Sequence, residues 1–245
     1  FLGSAKQVPA GVRPEQPLCW IPKVADNSSG GQMWNTSSAW GPYHKGGMLH
    51  LSWGRCTMHA VLRDVVGGVH QGATVQFPGL TFLSGSGEAE FNPKDGQLYV
   101  VGLDGWQTGA VQDGSLQRVR YTGKPVHMPS SFRVMANGVE IGFSEPLDKN
   151  QLADAKNYRI EQWNYRWTST YGSFHYSVND PKKVGHDSVE VLSVSVSEDQ
   201  KSVFLKTKPL RPVDQIHVHI DSATKAGRPL AFDVYGTIKR MRPPM

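Results

Sequence analysis

Apolar and polar residues alternate along much of the chain, and this pattern predicts short β-strands with one buried face. Residues 48–53 are a clear case, because three apolar side chains fall on one face while His50 and Ser52 fall on the other. The first half has further predicted strands at residues 18–24, 57–65, 69–77, 88–91, 97–103 and 115–121. Residues 26–34 and 40–47 are polar, carry glycine and aromatic residues, and are predicted to be loops.

Residues 88–123 are predicted to form three short strands with Asp-Gly pairs in or beside their turns. Glycine in such pairs supplies the positive φ that tight hairpin turns need. Short strands at this spacing are typical of a β-propeller blade, and residues 18–123 supply about two blades. Because a propeller closes with about 4–8 blades, we expect a missing propeller segment of the same polypeptide, or a partner protein chain, to complete this region.

From residue 131 the pattern changes to about seven strands, which is the count and spacing of an immunoglobulin-like sandwich. These strands are predicted at residues 132–135, 139–143, 157–163, 188–197, 201–207, 214–221 and 234–239, with a short helical turn at 149–155. The alternation slips at Leu192, which indicates a β-bulge. The predicted fold is therefore all-β, with a partial β-propeller at residues 1–125 followed by an Ig-like β-sandwich at residues 126–245.

Composition narrows the class of protein. The chain has 245 residues and a formal net charge of +5, but its Lys and Arg residues are scattered, so we expect a solvated basic surface and no nucleic-acid site. No run is apolar and long enough to cross a membrane. The chain begins at Phe1, and we expect a processed chain or a piece of a longer one.

The two cysteines, Cys19 and Cys56, permit one disulfide but do not establish it. An even cysteine count, together with seven Trp and many Asn and Gly residues, favours a periplasmic or extracellular location. Cys56 and His59 also form half of a haem-attachment motif, but residues three apart on a strand point to opposite faces. A disulfide to Cys19, or an isolated buried thiol, is the preferred interpretation.

Several motifs between residue 18 and about residue 180 resemble one protein family. They are Asp26-Asn27-Ser28, Gly30-Gly31-Gln32, Trp40-Gly41-Pro42, Leu49-His50-Leu51-Ser52, Phe91-Asn92-Pro93, Asp95-Gly96-Gln97-Leu98-Tyr99, Gly105-Trp106-Gln107-Thr108, the run from Arg118 to Pro125, the run from Glu161 to Trp167, and Tyr171-Gly172-Ser173. The resemblance is to the C-terminal part of large secreted bacterial proteins with a propeller of the sorbosone- and glucose-dehydrogenase type. Many members of that family also carry a c-type haem domain.

This resemblance implies an extracytoplasmic redox protein similar to quinone- or haem-dependent sugar or alcohol dehydrogenases. The implied cofactors are a quinone with calcium, or a haem, held on a partner or on an upstream region. The haem motif C-x-x-C-H is absent from this chain. A non-catalytic binding or assembly module, holding a glycan or a partner protein, is the alternative function, because a fold does not fix an activity.

The loops at residues 26–34, 40–45 and 105–113 are the candidate site, because propeller ligands meet loops at one end of the channel. His44 is the candidate catalytic base. The candidate cofactor-binding residues are Trp40, Lys45, Trp106 and Gln107, and the candidate substrate-binding residues are Asp26, Asn27 and Gln32. In the alternative interpretation, both Trp residues pack between blades and the polar residues cap turns.

Two further patterns leave alternatives open. His217 and His219 put two imidazoles on one strand face, which can chelate a metal, but no third ligand is evident from spacing, so an exposed sheet face and no metal site are predicted. The stretch 163–180 is dense in aromatic residues, namely Trp163, Tyr165, Trp167, Tyr171, Phe174 and Tyr176. They would either stack on a glycan or join the sandwich to the propeller, and the second interpretation is preferred.

Overall fold

The computed structural model describes residues 15–167 and 172–245 and is built almost wholly from antiparallel strands, which confirms the all-β fold class. The first seven strands are β1 (Ser29–Trp34), β2 (Met48–Ser52), β3 (Thr57–Val66), β4 (Val69–Gln76), β5 (Gly85–Phe91), β6 (Leu98–Leu103) and β7 (Gly114–Val119). The next are β8 (Pro129–Met135), β9 (Gly138–Phe143), β10 (Tyr158–Trp163), β11 (Asp187–Val189), β12 (Val191–Val196), β13 (Ser202–Thr207), β14 (Val213–Ala223) and β15 (Pro229–Ile238). One short helix, α1 (Lys149–Ala153), and a 3-10 turn at Ala155–Asn157 lie before β10. No helix among the described residues is long and apolar enough to cross a membrane.

The described strands form three sheets. The largest has eight strands in the order β1-β2-β3-β4-β15-β14-β10-β11, the second has the order β12-β13-β9-β8, and the third is the meander β5-β6-β7. Because β15 pairs with β4 through Val234 and Val75, the large sheet takes strands from both sides of the predicted boundary at residue 125.

The main core lies on one face of the large sheet. On β14, Ile216, Val218 and Ile220 belong to this core, together with Phe132 of β8 and Ile141 of β9. The alternation of a strand sends His217 and His219 to the opposite face. The alternating sequence of β14 therefore places apolar side chains on the face packed against the core and the two histidines on the opposite face.

A second core joins the meander to the start of the large sheet. It includes Leu49 and Leu51 of β2, Met58 of β3, and Leu98 and Val100 of β6. Leu49 and Leu51 face this core as predicted, but His50 and Ser52 on the other face are also buried, so β2 has two buried faces.

The close approach of β1 to β5 depends on Gly30. A Cβ atom at Gly30 would collide with the main-chain oxygen of Ser86. We expect Gly30→Ala to lower the free energy of unfolding by about 1–3 kcal/mol, as overpacking does elsewhere, measured by urea denaturation. Gly87→Ala is the control, because its Cβ would meet only the Val101 oxygen at 3.7 Å. Equal losses in the two variants would contradict the packing argument.

Most predicted strands are present, with two errors in the first half. Residues 18–24 form no strand; this segment is tied to the large sheet by the Trp20 amide, which donates to Thr237 Oγ1 at 2.8 Å. Residues 26–34, predicted to be a loop, contain β1. Its Ser and Gly residues have low strand propensity, so pairing with β2 and packing against β5 decide its structure.

The predicted bulge at Leu192 is confirmed, because the register of β12 against β13 shifts between Val191 and Ser193. The single predicted strand at residues 188–197 is nevertheless two strands. The chain leaves the large sheet after Val189 and joins the four-stranded sheet at Val191.

Candidate functional site

Three side chains on the open face of the large sheet can hold a metal ion together. His217, His219 and Asp233 offer ligand atoms that all lie within 4.8 Å of one another. Among residues 15–167 and 172–245, no other group of three His, Cys, Asp or Glu side chains has this geometry. It is therefore the strongest candidate site in the described part of the chain.

The β14–β15 hairpin brings these residues together. His217 and His219 are two apart on β14 and so share a face. Asp233 lies directly opposite His219 in the β14–β15 register, and Tyr235 lies opposite His217. Directly opposed side chains on an antiparallel pair have Cβ atoms about 4.5–5.5 Å apart, so the third ligand follows from strand pairing.

Both imidazoles point at the same carboxylate oxygen. Asp233 Oδ1 lies 2.8 Å from His217 Nε2 and 2.8 Å from His219 Nδ1. These hydrogen bonds, led by the one from His217, lower the pKa of Asp233 to about 2, against the opposing effect of burial. The carboxylate is therefore ionised at neutral pH, which is the state that a metal ligand needs.

The site is open to solvent on one side and supported on the other. The side chains of His217 and His219 are 18 and 17% exposed, whereas that of Asp233 is 49% exposed. The ring of Tyr235 stacks on His217 with centroids 4.5 Å apart and planes 16° apart. The imidazoles are thus held in place by packing while their edges stay reachable.

The donor set suits a borderline transition-metal ion. Imidazole nitrogen and carboxylate oxygen are the usual zinc ligands, with bonds of about 2.0–2.2 Å, so tetrahedral ligand atoms would lie roughly 3.3 Å apart. Each imidazole nitrogen, now 2.8 Å from Asp233 Oδ1, would have to move slightly away from that oxygen to reach this spacing. Three protein ligands leave one coordination position free for water or another molecule.

A second group of side chains adjoins the cluster. Glu161 lies opposite His217 on β10, and its Oε2 is 3.2 Å from His186 Nδ1. His186 Nε2 in turn lies 2.7 Å from His175 Nδ1, and both rings stack on the buried indole of Trp163. A cleft of about 480 Å³ runs beside Glu161, His217 and His219.

Some aromatic side chains of the stretch 163–180 are packed inside the structure, and others are exposed. Trp163 is buried, and Tyr165 packs against Trp20 with ring centroids 5.5 Å apart. Trp167 and Phe174 are exposed. Tyr176 lies under the guanidinium group of Arg166 at 3.7 Å, and Tyr171 lies outside the described residues. The stretch therefore contains both packed and open rings.

The candidate base His44 is half-buried beside a second cleft. Its Nε2 lies 2.9 Å from the Met48 oxygen, and burial lowers its pKa despite that bond. It has a φ of 56°, in the left-handed region. This cleft of about 340 Å³ also includes Tyr121, Glu145 and Lys201. A catalytic role for His44 stays a prediction.

The candidate cofactor-binding residues Trp40, Lys45 and Trp106 differ in their exposure. Trp40 is buried between the rings of Phe77 and Phe91, and its Nε1 donates to the Val119 oxygen at 2.9 Å. Lys45 and Trp106 are exposed. Trp40 therefore offers no open ring face to a quinone, while cofactor binding by Lys45, Trp106 and Gln107 stays a prediction.

The predicted substrate residues form two separate contacts. Asp26 is buried and bonds His50, whose other ring nitrogen meets the Gln32 amide at 3.2 Å. The amide nitrogen of Asn27 donates to the main-chain oxygen of Gln107 at 3.0 Å. The loops at 26–34 and 105–113 therefore touch through this bond, and substrate binding by Asp26, Asn27 and Gln32 stays a prediction.

Cys19 and Cys56 are both free thiols in the structure, which agrees with the buried-thiol alternative and not with a disulfide between them. Cys56 belongs to the second core, beside residues such as Leu51 and Met58, while burial raises the pKa of Cys19 to about 12 and keeps that thiol protonated.

Sequence reasoning found two of the three metal-ligand candidates and missed Asp233. The predicted last strand began at residue 234, whereas β15 begins at Pro229. Extending that strand by one residue and pairing it with residues 214–221 would have placed a carboxylate beside the two histidines.

Comparisons of the chain with family models, with curated proteins and with solved structures find no match.

Proposed function

We propose that this chain is a binding module that takes up one divalent transition-metal ion at His217, His219 and Asp233. The observation that carries the proposal is the convergence of two imidazole nitrogens and one ionised carboxylate oxygen within 4.8 Å. All three side chains stand on paired strands, so their spacing needs little reorganisation. The proposal shares only a non-catalytic binding role with the alternative from the sequence, which named a glycan or a partner protein and no metal site.

The donor types favour some ions over others. Imidazole suits zinc, copper, nickel and iron, whereas calcium and magnesium prefer shells made wholly of oxygen. Two of the three protein donors here are nitrogen atoms. We therefore expect Zn²⁺ or Cu²⁺ to bind and Mg²⁺ and Ca²⁺ to bind weakly.

Metal titration tests this function. The protein is stripped with a chelator and titrated with Zn²⁺, and binding is followed by calorimetry and by thermal unfolding. We expect one ion per chain, and at an ion concentration of 100 times the dissociation constant, a stabilisation of about 2.7 kcal/mol.

Asp233→Asn is the matched variant, because it keeps the size of the side chain and removes the charged oxygen ligand. We expect it to lose the zinc-dependent stabilisation, while His70→Gln, at an exposed histidine of β4, keeps it. Absence of binding to the wild type, or equal binding by Asp233→Asn, would refute the proposal.

The finer architecture is also a proposal. The strands β8 to β15 support an Ig-like sandwich, since they supply two facing antiparallel sheets with a shared core. The meander β5-β6-β7 supports a propeller blade. Membership of the sorbosone- and glucose-dehydrogenase-like family, its redox activity, a missing propeller segment or partner chain, and a periplasmic or extracellular location stay predictions from resemblance and composition.

A further inference from the structure

Each of the four imidazole nitrogens in the cluster faces a carboxylate. Asp233 Oδ1 meets one nitrogen of each ring, His217 Nε2 and His219 Nδ1. On the far side of His219, Nε2 lies 3.2 Å from Asp221 Oδ1. On the far side of His217, Nδ1 lies 3.9 Å from Glu161 Oε2, which is an ion-pair distance.

The far nitrogens matter because a neutral imidazole carries a single N–H. When one nitrogen binds a metal, that N–H must sit on the other nitrogen. A carboxylate next to the far nitrogen stabilises this arrangement, fixes the ring plane and raises the basicity of the ligating nitrogen. In the metal-free structure the nitrogens that the metal needs lie 2.8 Å from Asp233 Oδ1, so metal binding has to move each N–H to the far nitrogen, where the second carboxylate accepts it.

We propose that Glu161 and Asp221 are positioning residues that select the metal-binding tautomers of His217 and His219. This inference rests on the proposed metal-binding function. Neither carboxylate is itself a ligand, since each faces the nitrogen directed away from Asp233. Metal at the cluster is bound through His217 Nε2 and His219 Nδ1, with the protons on the opposite nitrogens.

The sheet holds both carboxylates in place. Glu161 stands opposite His217 in the β10–β14 register, and Asp221 follows His219 by two residues on β14. Each carboxylate also has one other partner, His186 for Glu161 at 3.2 Å and Arg159 for Asp221 at 3.4 Å. The two groups are therefore restrained although they lie at the surface.

Cu²⁺ is the probe that distinguishes positioning from a general structural role. Its affinity is measured by competition with a chelator of known strength, and electron spin-echo modulation reports the far nitrogen of each ligating imidazole. We expect Glu161→Gln and Asp221→Asn each to weaken Cu²⁺ binding by about 10-fold or more and to alter the modulation from the far nitrogen. Glu190→Gln is the control, because Glu190 lines the same cleft but faces no imidazole.

The outcomes separate the two proposals. If the wild type binds no Cu²⁺ or Zn²⁺, the proposed function is wrong and this inference falls with it. If the wild type binds and both variants keep its affinity within about 2-fold and its modulation pattern, only the positioning role is overturned. Weaker binding in the Glu190→Gln control by the same factor would also overturn it, because the effect would then be one of general charge.

Discussion

Replacing Asp26 with alanine is expected to lower the free energy of unfolding by about 3–5 kcal/mol, the usual cost of removing one partner from a buried pair. The carboxylate is 1% exposed and accepts hydrogen bonds from Ser52 Oγ at 2.6 Å, Ser29 Oγ at 2.7 Å and His50 Nε2 at 2.8 Å. Burial alone would raise the pKa of Asp26, but the bonds from His50, Ser52 and Ser29 outweigh it and lower the pKa. Alanine would remove the acceptor of the buried donors His50 and Ser52, whereas the exposed Ser29 can bond to water.

Urea denaturation of the chelator-treated protein at pH 7 measures this loss. Ser29→Ala is the matched control, since it removes one of the bonds to the same carboxylate and is expected to cost about 1 kcal/mol. A loss below about 1 kcal/mol for Asp26→Ala would show that water satisfies these donors and that the network contributes little.

Local sequence pattern predicted most strands but not their order in the sheets. The alternation in β2 and β14 is visible because the two faces of each strand differ in polarity, although both faces of β2 are buried. The pairing of β15 with β4 joins segments about 160 residues apart. The sequence of neither strand indicates which strand it pairs with. The strand order of the large sheet could therefore not be predicted from local sequence patterns.

Turn chemistry was predicted only in part. Gly96 of the first Asp-Gly pair has the expected positive φ of 65°. Gly105 and Gly114 do not have a positive φ, and Gln107 has one instead. The main-chain oxygen of Gln107 also accepts a hydrogen bond from the distant Asn27, a contact that local turn chemistry does not predict.

The candidate sites differ in how much the sequence could show. His217 and His219 stand out because their i, i+2 spacing is local, while Asp233 and Glu161 come from the two neighbouring strands. Trp40 looked like a binding residue because a Trp in a polar loop resembles a ligand platform. Its actual partners, Phe77 and Phe91, lie more than 35 residues away.

Lowering the pH from 7 to about 4 is expected to remove about 3 kcal/mol of stability through His59 alone. The ring is 1% exposed, and its Nδ1 has no hydrogen-bond partner among the described residues. Burial, reinforced by the nearby His50, lowers the pKa of His59 to about 4 from the ordinary value of 6.5. The folded protein therefore keeps this ring neutral in a range where the unfolded chain protonates it.

The sign follows from proton binding. Between pH 6.5 and about 4, the unfolded state binds one more proton at this site than the folded state, so the free energy of unfolding falls as the pH falls, by about 1.4 kcal/mol per pH unit. Asp26 affects the free energy of unfolding at lower pH than His59 does, because the pKa of Asp26 lies below the usual value for a carboxyl. Its contribution is lost only as the pH falls through that lowered pKa.

Urea denaturation at several pH values from 7 to 4.5, with a chelator present, tests this expectation. The wild type should lose stability more steeply than His59→Gln, and the difference in slope should approach one proton. His44 and His175 also have lowered pKa values, so some slope should persist in the variant. His70→Gln, which changes an exposed ring, should follow the wild type. Parallel curves for the wild type and His59→Gln would mean that the folded state accommodates a proton on His59, and that the buried ring carries no acid-labile stability.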